Sequence, residues 1–319
     1  MAMTRKIVIL GTGGTIAGQG CAQGGGVDYQ AGQIGVAQLL QPLVKSNLQG
    51  NFLFEVQQVA QLDSKDMDVA TWQRLAVACQ DWLAQAEVTG VVITHGTDTL
   101  EETAWFLQCV LQPSKPVVLT CAMRPATALS ADGPANLRDA ITCAAQGVAG
   151  VWLAAQGEVH SAHSVRKVHP YRVHAFSSAA QGPAAWVEEG RVRWVQQAAD
   201  SQPKQTALPE AIWSRAATHW PWVEIVTSTA AACASSVDAL VTAGVQGLIV
   251  AGTGNGSVHH LLWQALERAK AQGVQVWRTT RCEQGSVVLA DGEEDASVSA
   301  LSPVKARISL MLALLEKTI

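Results

Sequence analysis

The sequence predicts an α/β fold: a larger N-terminal domain with a mostly parallel sheet flanked by helices, and a smaller C-terminal α/β domain. Short apolar, β-branched runs alternate with amphipathic segments of helix length, a pattern typical of parallel sheets with helices on both sides. The length of 319 residues suits about two domains. A polar segment at 200–208, interrupted by proline, divides the chain into unequal parts.

The strands and helices of the larger domain follow from hydrophobic periodicity. Buried strands are expected at five short apolar runs, at 7–10, 52–59, 91–94, 117–120 and 151–153. Residues 69–86 place apolar side chains at three-and-four spacing, which predicts a helix with one face on the sheet. Residues 185–195 alternate around Glu189-Gly190, which predicts a β-hairpin.

The same alternation resumes after the polar segment. Strands are expected at 223–226, 247–250 and 274–277, with helices at 237–243 and 261–271. We therefore predict an N-terminal domain at 1–196, a linker at 197–220 and a smaller C-terminal domain at 221–319.

Composition argues against several classes of function. With 48% hydrophobic and 15% charged residues, the chain is expected to be globular with a large core. A net charge of -4 gives no global attraction to nucleic acid or to an anionic membrane. No apolar stretch approaches the length of a membrane span, and Ile7 to Leu10 is too short for a signal-peptide core. We expect a cytoplasmic protein that acts on neither nucleic acid nor membrane.

Cysteine and histidine are the residue types that most often bind transition metals. Seven scattered cysteines without a CxxC spacing predict neither a disulfide framework nor a zinc site, and they suit a reducing compartment. Four histidines lie close together in sequence, and a metal site is the alternative interpretation of His160, His163, His169 and His174. Because no HExxH-like pattern accompanies them, we interpret them as surface or hydrogen-bonding histidines.

Two loops at strand ends carry the candidate chemistry. Gly11 to Gly18 follows the first strand, at the usual ligand position of a parallel sheet. Dinucleotide binding, and with it a nucleotide-dependent oxidoreductase, is the rival interpretation, but Ile16 replaces the third glycine of that fingerprint. The second loop, Thr94 to Glu102, ends a strand and begins a helix. Its Thr97 and Asp98 suit a helix N-cap, or a site that positions water and holds an amino group.

Four stretches occur in order along the chain: GTGGTIAG from Gly11, HGTDTLEETA from His95, AMRPATALSADGPANLRDA from Ala122 and AGTGNG from Ala251. Together they resemble the bacterial-type L-asparaginases and glutaminase-asparaginases, and the resemblance extends nearly from end to end. It implies hydrolysis of L-asparagine to L-aspartate and ammonia by a threonine nucleophile, without metal or organic cofactor. Minor L-glutamine activity stays open.

The resemblance also implies the reactive residues. Thr15 matches the nucleophile, and Tyr29 matches a tyrosine across a glycine-rich lid. Thr97, Asp98 and Lys167 match a second reactive group, in which lysine and aspartate flank a threonine hydroxyl. This chemistry is intelligible because a free threonine hydroxyl is a poor nucleophile and needs a neighbouring basic group to take its proton.

Substrate-holding residues are implied in the same way. Ser64 matches the serine that binds the α-carboxylate, and Asp98 pairs with the α-ammonium. The backbone around Gly96, Thr97 and Ala122 resembles the part that polarises the amide carbonyl. These groups would hold an amino-acid amide between the two threonines.

Two further residues imply an assembly. Asn255 and Glu294, with Glu293 as the alternative alignment, resemble residues contributed by a neighbouring subunit. The implied assembly is a homodimer or homotetramer with sites shared between chains.

Two observations leave room for other interpretations. Lys65 departs from the glutamine or glutamate that many secreted members carry, so the use of L-glutamine stays open. The preference for D-isomers also stays open, because it depends on the shape of the pocket. A non-catalytic amide-binding subunit, as in tRNA-dependent amidotransferases, is the alternative of another class. Those subunits resemble this chain but carry an extra N-terminal domain, whereas the first strand here is expected just after Lys6.

Overall fold

The protein consists of two compact units, Met1–Leu208 and Pro209–Ile319. The computed structural model describes residues 5–20, 29–45, 52–195, 208–290 and 293–317. Each unit has its own sheet and helices, so the predicted α/β class with a larger and a smaller domain is confirmed.

The first unit is built around a large sheet. Its strands are β1 (Arg5–Gly13), β2 (Gln19–Gly20), β3 (Tyr29–Gln30), β4 (Phe52–Leu62), β5 (Val88–Thr94), β6 (Pro116–Thr120), β7 (Gly150–Ala155), β8 (Glu158–Ser161), β9 (Arg166–Lys167), β10 (Phe176–Ser177), β11 (Ala185–Glu188) and β12 (Arg191–Trp194). Its helices are α1 (Val36–Lys45), α2 (Val69–Leu83), α3 (Leu100–Leu111) and α4 (Gly133–Gln146). Short 3-10 helices lie at Thr15–Ala17, Ser64–Asp66 and Ala179–Gln181.

Eight strands form the main sheet, in the order β12-β11-β8-β7-β6-β5-β1-β4. The five strands β4, β1, β5, β6 and β7 run parallel, while β8, β11 and β12 extend the sheet by antiparallel pairing. Every residue of β6 and β7 is buried, as expected for parallel strands covered on both faces. The predicted strands, the helix from Val69 and the hairpin of β11 and β12 are confirmed.

Both faces of this sheet are apolar. On one face, Ile9, Val118 and Trp152 belong to a core cluster with Leu137 and Ala140 of α4. The strand side chains that alternate with these are also buried, and α2 and α3 pack on β5 and β7. Burial on both faces explains why the strands appear in the sequence as continuous apolar runs rather than as alternating ones.

The second unit is smaller. Its parallel sheet has the order β13-β14-β15, from β13 (Val223–Thr227), β14 (Gly247–Gly252) and β15 (Gln275–Thr280). Its helices are α5 (Glu210–Trp213), α6 (Ser235–Thr242), α7 (His260–Ala271) and α8 (Pro303–Lys317), with a 3-10 helix at Ala217–His219. Val237 of α6 and Leu262 and Leu266 of α7 pack with Leu248 of β14.

The expected linker at 197–220 falls partly on described residues. Residues 197–207 lie outside them. Residues 209–220 belong to the second unit. There the short helix α5, which contains the buried Ile212 and Trp213, packs on α8. Across the ranges that the structure describes, no helix is long and apolar enough to cross a membrane.

Parallel pairing brings four strand ends together. β4, β1, β5 and β6 are neighbours in the sheet, so their carboxyl ends meet at one edge, where ligands bind in open α/β sheets. The segments after these strands carry Ser64, Thr15, Gly96 and Ala122, respectively. The fold therefore gathers residues from four separate motifs.

Two glycines allow the turns after β1 and β5 to touch. A Cβ on Gly14 would lie well inside van der Waals contact of the Gly96 Cα and amide nitrogen. A Cβ on Gly96 would lie 2.7 Å from the Cβ of Ser64, and closer still to its hydroxyl. Gly14 also has a φ of 77°, which L side chains rarely adopt. Larger residues at these positions would separate the three turns.

We expect Gly96→Ala to reduce the free energy of unfolding by about 1 to 3 kcal/mol, because the new methyl group has to displace backbone or the buried Ser64. Gly35→Ala is the matched control. Its Cβ would meet only Gln58 Oε1 at 4.0 Å, so we expect a loss below about 1 kcal/mol. Equilibrium urea unfolding measures both variants, and equal losses would contradict the steric role of Gly96.

Candidate active site

The first pair of candidate reactive residues is Thr15 and Tyr29. Thr15 begins the 3-10 helix after β1 and is buried, and its Oγ1 lies 2.6 Å from the Oη of Tyr29. Tyr29 begins β3, which pairs with β2, so Gly20 lies opposite the tyrosine. A Cβ on Gly18 would lie 2.8 Å from the Tyr29 ring, so glycine at this position lets the ring approach Thr15. The remaining lid glycines, at 24–26, lie outside the described residues.

Thr97, Asp98 and Lys167, the second candidate reactive group implied by the resemblance, lie within hydrogen-bonding distance of one another. Lys167 on β9 donates hydrogen bonds to Thr97 Oγ1 at 2.8 Å and to Asp98 Oδ1 at 2.5 Å. The threonine side chain is 5% exposed and the lysine side chain 16%, whereas the aspartate side chain is 53% exposed. The hydroxyl and amine are thus covered by protein, while the carboxylate is open to a charged ligand.

Ser64 joins the turn after β4 to the turn after β5. Its buried Oγ accepts a hydrogen bond from the backbone nitrogen of Asp98 at 3.1 Å. Its carbonyl accepts one from Thr99 Oγ1 at 2.7 Å. Sequence reasoning did not single out Thr99, although it lies within the HGTDTLEETA stretch. These two bonds hold the Ser64 hydroxyl beside the Asp98 backbone.

The turn at Ala122 is held by hydrogen bonds to residues at the start of α4. The backbone nitrogens of Met123 and Arg124 each donate to a carboxylate oxygen of Asp132 at 3.0 Å. Asn136 donates to the carbonyl of the residue before Ala122 at 2.9 Å. Neither Asp132, the residue immediately before α4, nor Asn136 within α4 was predicted as a site residue, although an aspartate followed by Gly-Pro is a signal for a helix start.

A buried histidine supports the carbonyl of Gly96. His95 is fully buried, with Nδ1 2.7 Å from the Gly96 oxygen and Nε2 2.9 Å from Thr103 Oγ1. Trp72 Nε1 donates to the same Thr103 hydroxyl at 2.9 Å. The partners assign the tautomer: Thr103 donates to Nε2, and Nδ1–H donates to Gly96. Burial lowers the pKa of His95 to about 4, so the imidazole is neutral near neutral pH.

Dinucleotide binding and metal binding, the two alternatives raised by the sequence, each require a specific local structure. A dinucleotide fingerprint opens a long helix, whereas Gly14 leads into a three-residue 3-10 helix. Within the described ranges, no three side chains of His, Cys, Asp or Glu are grouped as metal ligands. His160 instead contacts Ser178 and Glu158.

Family models match both units: "Asparaginase, N-terminal" over residues 6–200 and "Glutaminase/Asparaginase C-terminal domain" over residues 222–318. The chain belongs to the asparaginase family.

Curated and solved relatives match nearly the whole of this asparaginase-family chain. It is 36% identical to a glutaminase-asparaginase of Pseudomonas fluorescens biotype A, over 97% of this chain and 86% of that protein. It is 34% identical to L-asparaginase 2 of Escherichia coli (strain K12), over 98% of this chain and 89% of that protein. The crystal structure of a probable cytoplasmic L-asparaginase from Campylobacter jejuni has a TM-score of 0.85 and 35% identity, covering 97% of this chain and 95% of that one.

Two residues selected by the family resemblance lie in the second unit. Asn255 follows β14, and its amide both donates to the Val288 oxygen at 2.8 Å and accepts from the Val288 nitrogen at 2.7 Å. Glu294 and the alternative Glu293 are exposed. The amide of Asn255 therefore joins two loops of the second unit and fixes their shape.

The departure at Lys65 places a charge next to Ser64. Its Nζ lies 2.6 Å from Asp63 Oδ2, and the side chain is 62% exposed. The hydrogen bond and the charge of Asp63 raise the pKa of Lys65. The positive charge is thus held at the edge of the strand-end site.

The buried imidazole of His95 predicts how stability changes with pH. Its folded pKa of about 4 lies below the ordinary value of 6.5, so the unfolded chain binds more protons between these values. The contribution of His95 is complete above pH 6.5 and is lost as the pH falls toward 4. Over this range, we expect the wild type to lose about 2 to 3 kcal/mol relative to His95→Asn. Urea unfolding at several pH values measures this difference, and parallel pH profiles would contradict it.

Proposed function

We propose that this asparaginase-family protein hydrolyses the side-chain amide of L-asparagine to L-aspartate and ammonia, with Thr15 as nucleophile and L-glutamine as a minor substrate. The observation that carries the proposal is a pair of threonine hydroxyls on adjoining turns, each bonded to a group able to move a proton. The names of the relatives from P. fluorescens and E. coli support the substrate class.

In the first half of the reaction, Thr15 Oγ1 forms a bond to the amide carbon. Its proton passes through the Tyr29 hydroxyl, 2.6 Å away, to the amide nitrogen. The carbon–nitrogen bond breaks and ammonia leaves, so the acyl group remains as an ester on Thr15.

In the second half, water attacks the ester carbon. Thr97 Oγ1 and the amine of Lys167, 2.8 Å apart, take the proton of the water. That proton returns to Thr15 Oγ1 as the ester bond breaks, which releases the acid and restores both threonines.

Substrate orientation rests on charge and backbone groups. Asp98 is the exposed carboxylate of the site and suits an α-ammonium, while Ser64 beside it suits the α-carboxylate. The backbone at Gly96, Thr97 and Ala122 polarises the amide carbonyl in this proposal. Holding all three parts of the substrate turns weak nucleophilicity into rate.

We also propose that the active form is a homodimer or homotetramer, with Asn255 and Glu294 completing the site of a neighbouring chain. The resemblance to the family supports this assembly. We propose a cytoplasmic location, supported by the C. jejuni protein. A relative from Haemophilus influenzae is instead a probable periplasmic L-asparaginase, and cell fractionation would decide between the two compartments.

The direct test is ammonia release by the purified protein from L-asparagine, L-glutamine and D-asparagine. We expect release chiefly from L-asparagine. Thr15→Ala and Thr97→Val should each lower kcat by about 10³-fold or more, and the double variant should be little worse, since groups that act as a unit are not additive. Thr242→Val in α6 is the control that should keep wild-type activity. Absence of ammonia from all three substrates would refute the proposal.

Shared sites predict complementation between two inactive variants. In a mixed dimer of Thr15→Ala with Asn255→Ala, one site carries both lesions and the other carries none. Random co-assembly makes about half of the dimers mixed, so about a quarter of all sites should regain activity. Co-expression and an asparagine assay measure this recovery. If Asn255 served its own chain, no intact site would form and activity would stay at the level of the single variants.

A further inference from the structure

A continuous chain of hydrogen bonds runs from β8 to the hairpin that carries Lys167. Ser161 Oγ lies 2.9 Å from Ser164 Oγ, which donates to Ser178 Oγ at 3.1 Å. Ser178 Oγ lies 3.0 Å from His160 Nδ1, and His160 Nε2 lies 3.1 Å from Glu158 Oε2. Three hydroxyls, one imidazole and one carboxylate are therefore linked in a row.

The linked residues belong to parts of different rigidity: the series begins and ends on β8, and its middle lies at the base of the hairpin. His160 and Glu158 lie on β8, where His160 pairs with Leu153 in the main sheet. Ser164 comes shortly before β9, and Ser178 immediately follows β10. The bond between these two serines therefore closes the base of the β9–β10 hairpin, and their bonds to Ser161 and His160 of β8 tie that base to the sheet.

The hairpin needs such an anchor. It pairs only two residues on each strand, with Lys167 opposite Phe176. Hairpins this short have little stability of their own. Yet Lys167 has to keep its Nζ at hydrogen-bonding distance from both Thr97 and Asp98, about seventy residues earlier in the chain.

The hydrogens of the chain are fully accounted for by one tautomer. Ser161 donates to Ser164, Ser164 to Ser178 and Ser178 to His160 Nδ1, while Nε2–H of the imidazole donates to Glu158. The imidazole lowers the pKa of the Glu158 carboxyl, so the chain ends on a carboxylate. Ser161, Ser178 and His160 are at most 3% exposed, so water cannot replace a lost partner.

Ser178, His160 and Glu158 are linked in the same order as a serine–histidine–acid triad. A nucleophile has to be reached by its substrate, however, and Ser178 is 3% exposed. Its oxygen also accepts a hydrogen bond from Ser164 while its proton is directed at His160. These contacts favour a supporting role over a second reactive centre.

We propose that Glu158, His160, Ser164 and Ser178 form a positioning network that holds Lys167 against Thr97. The inference rests on the role proposed above for Lys167. It adds four residues, none of them among those proposed to hold the substrate, to the groups on which the rate depends.

A double-mutant cycle tests the network on the full-length protein. We expect Ser178→Ala to lower kcat about tenfold, because loss of the bonds from Ser178 to Ser164 and His160 lets Lys167 move relative to Thr97. Ser177→Ala is the matched control. The Ser177 hydroxyl accepts a hydrogen bond from the Ala179 nitrogen and takes no part in the proposed network, so kcat should change less than about twofold. In a Lys167→Met background, Ser178→Ala should cause no further loss, since the group it positions is gone.

A general loss of structure would give a different pattern. It would multiply the kcat defect by the same factor with or without Lys167, and that result would overturn the inference. Assays are made at a temperature where circular dichroism shows every variant folded. If Lys167→Met alone keeps wild-type kcat, the proposed role of Lys167 fails and the network fails with it. If Lys167→Met is impaired and Ser178→Ala behaves like Ser177→Ala, only the network is refuted.

Two substitutions at His160 give a second measurement. The amide of His160→Asn reaches the former position of Nδ1 and keeps a partner for Ser178, whereas His160→Leu has none. We expect the asparagine variant to keep several-fold more kcat than the leucine variant. Equal values would show that the bond to Ser178 does not matter to Lys167.

Discussion

The site depends on the close approach of two glycine backbones. Gly14 and Gly96 lie in the turns that follow two adjacent parallel strands, β1 and β5, and neither has room for a side chain. Because Thr15 and Thr97 follow these glycines directly, the contact brings the backbones of the two threonines close together. Ser64 packs on the other side of Gly96, so the third turn is set by the same contact.

Around this contact, buried polar groups hold the backbone from behind. His95 supports the Gly96 carbonyl and is held in place by the hydroxyl of Thr103, which in turn accepts a hydrogen bond from Trp72. Asp132 supports the turn at Ala122 with both carboxylate oxygens. A buried polar group that loses its partner is costly, so each of these networks tolerates few alternative arrangements. Rigidity at the strand ends is thus supplied by hydrogen bonds as well as by the apolar core.

The side chains proposed to react, by contrast, lie on small elements. Thr15 begins a three-residue 3-10 helix, Tyr29 lies on a two-residue strand, and Lys167 lies on another. Such elements bury little apolar surface of their own, so they follow the contacts that the main sheet offers them. The proposed network at His160 is one such contact. This division leaves the sheet to provide stability and the short elements to adjust the distances on which chemistry depends.

The sequence by itself determined the elements whose signal is local. Continuous apolar runs located β1, β5 and β6, three-and-four spacing located α2, and alternation around a turn located the β11–β12 hairpin, because periodicity within a few residues reports burial directly. Four motifs indicated which loops matter, and their resemblance to a family indicated the residues within them. The structure alone decided how those loops meet. The bonds of Thr97 to Lys167, of Asp98 to Ser64 and of Ser178 to His160 join residues 70, 34 and 18 positions apart, and no local pattern encodes such pairs. The supporting roles of His95 and Asp132 were hidden for the same reason: a buried polar residue reveals its function only through the partner that folding brings to it.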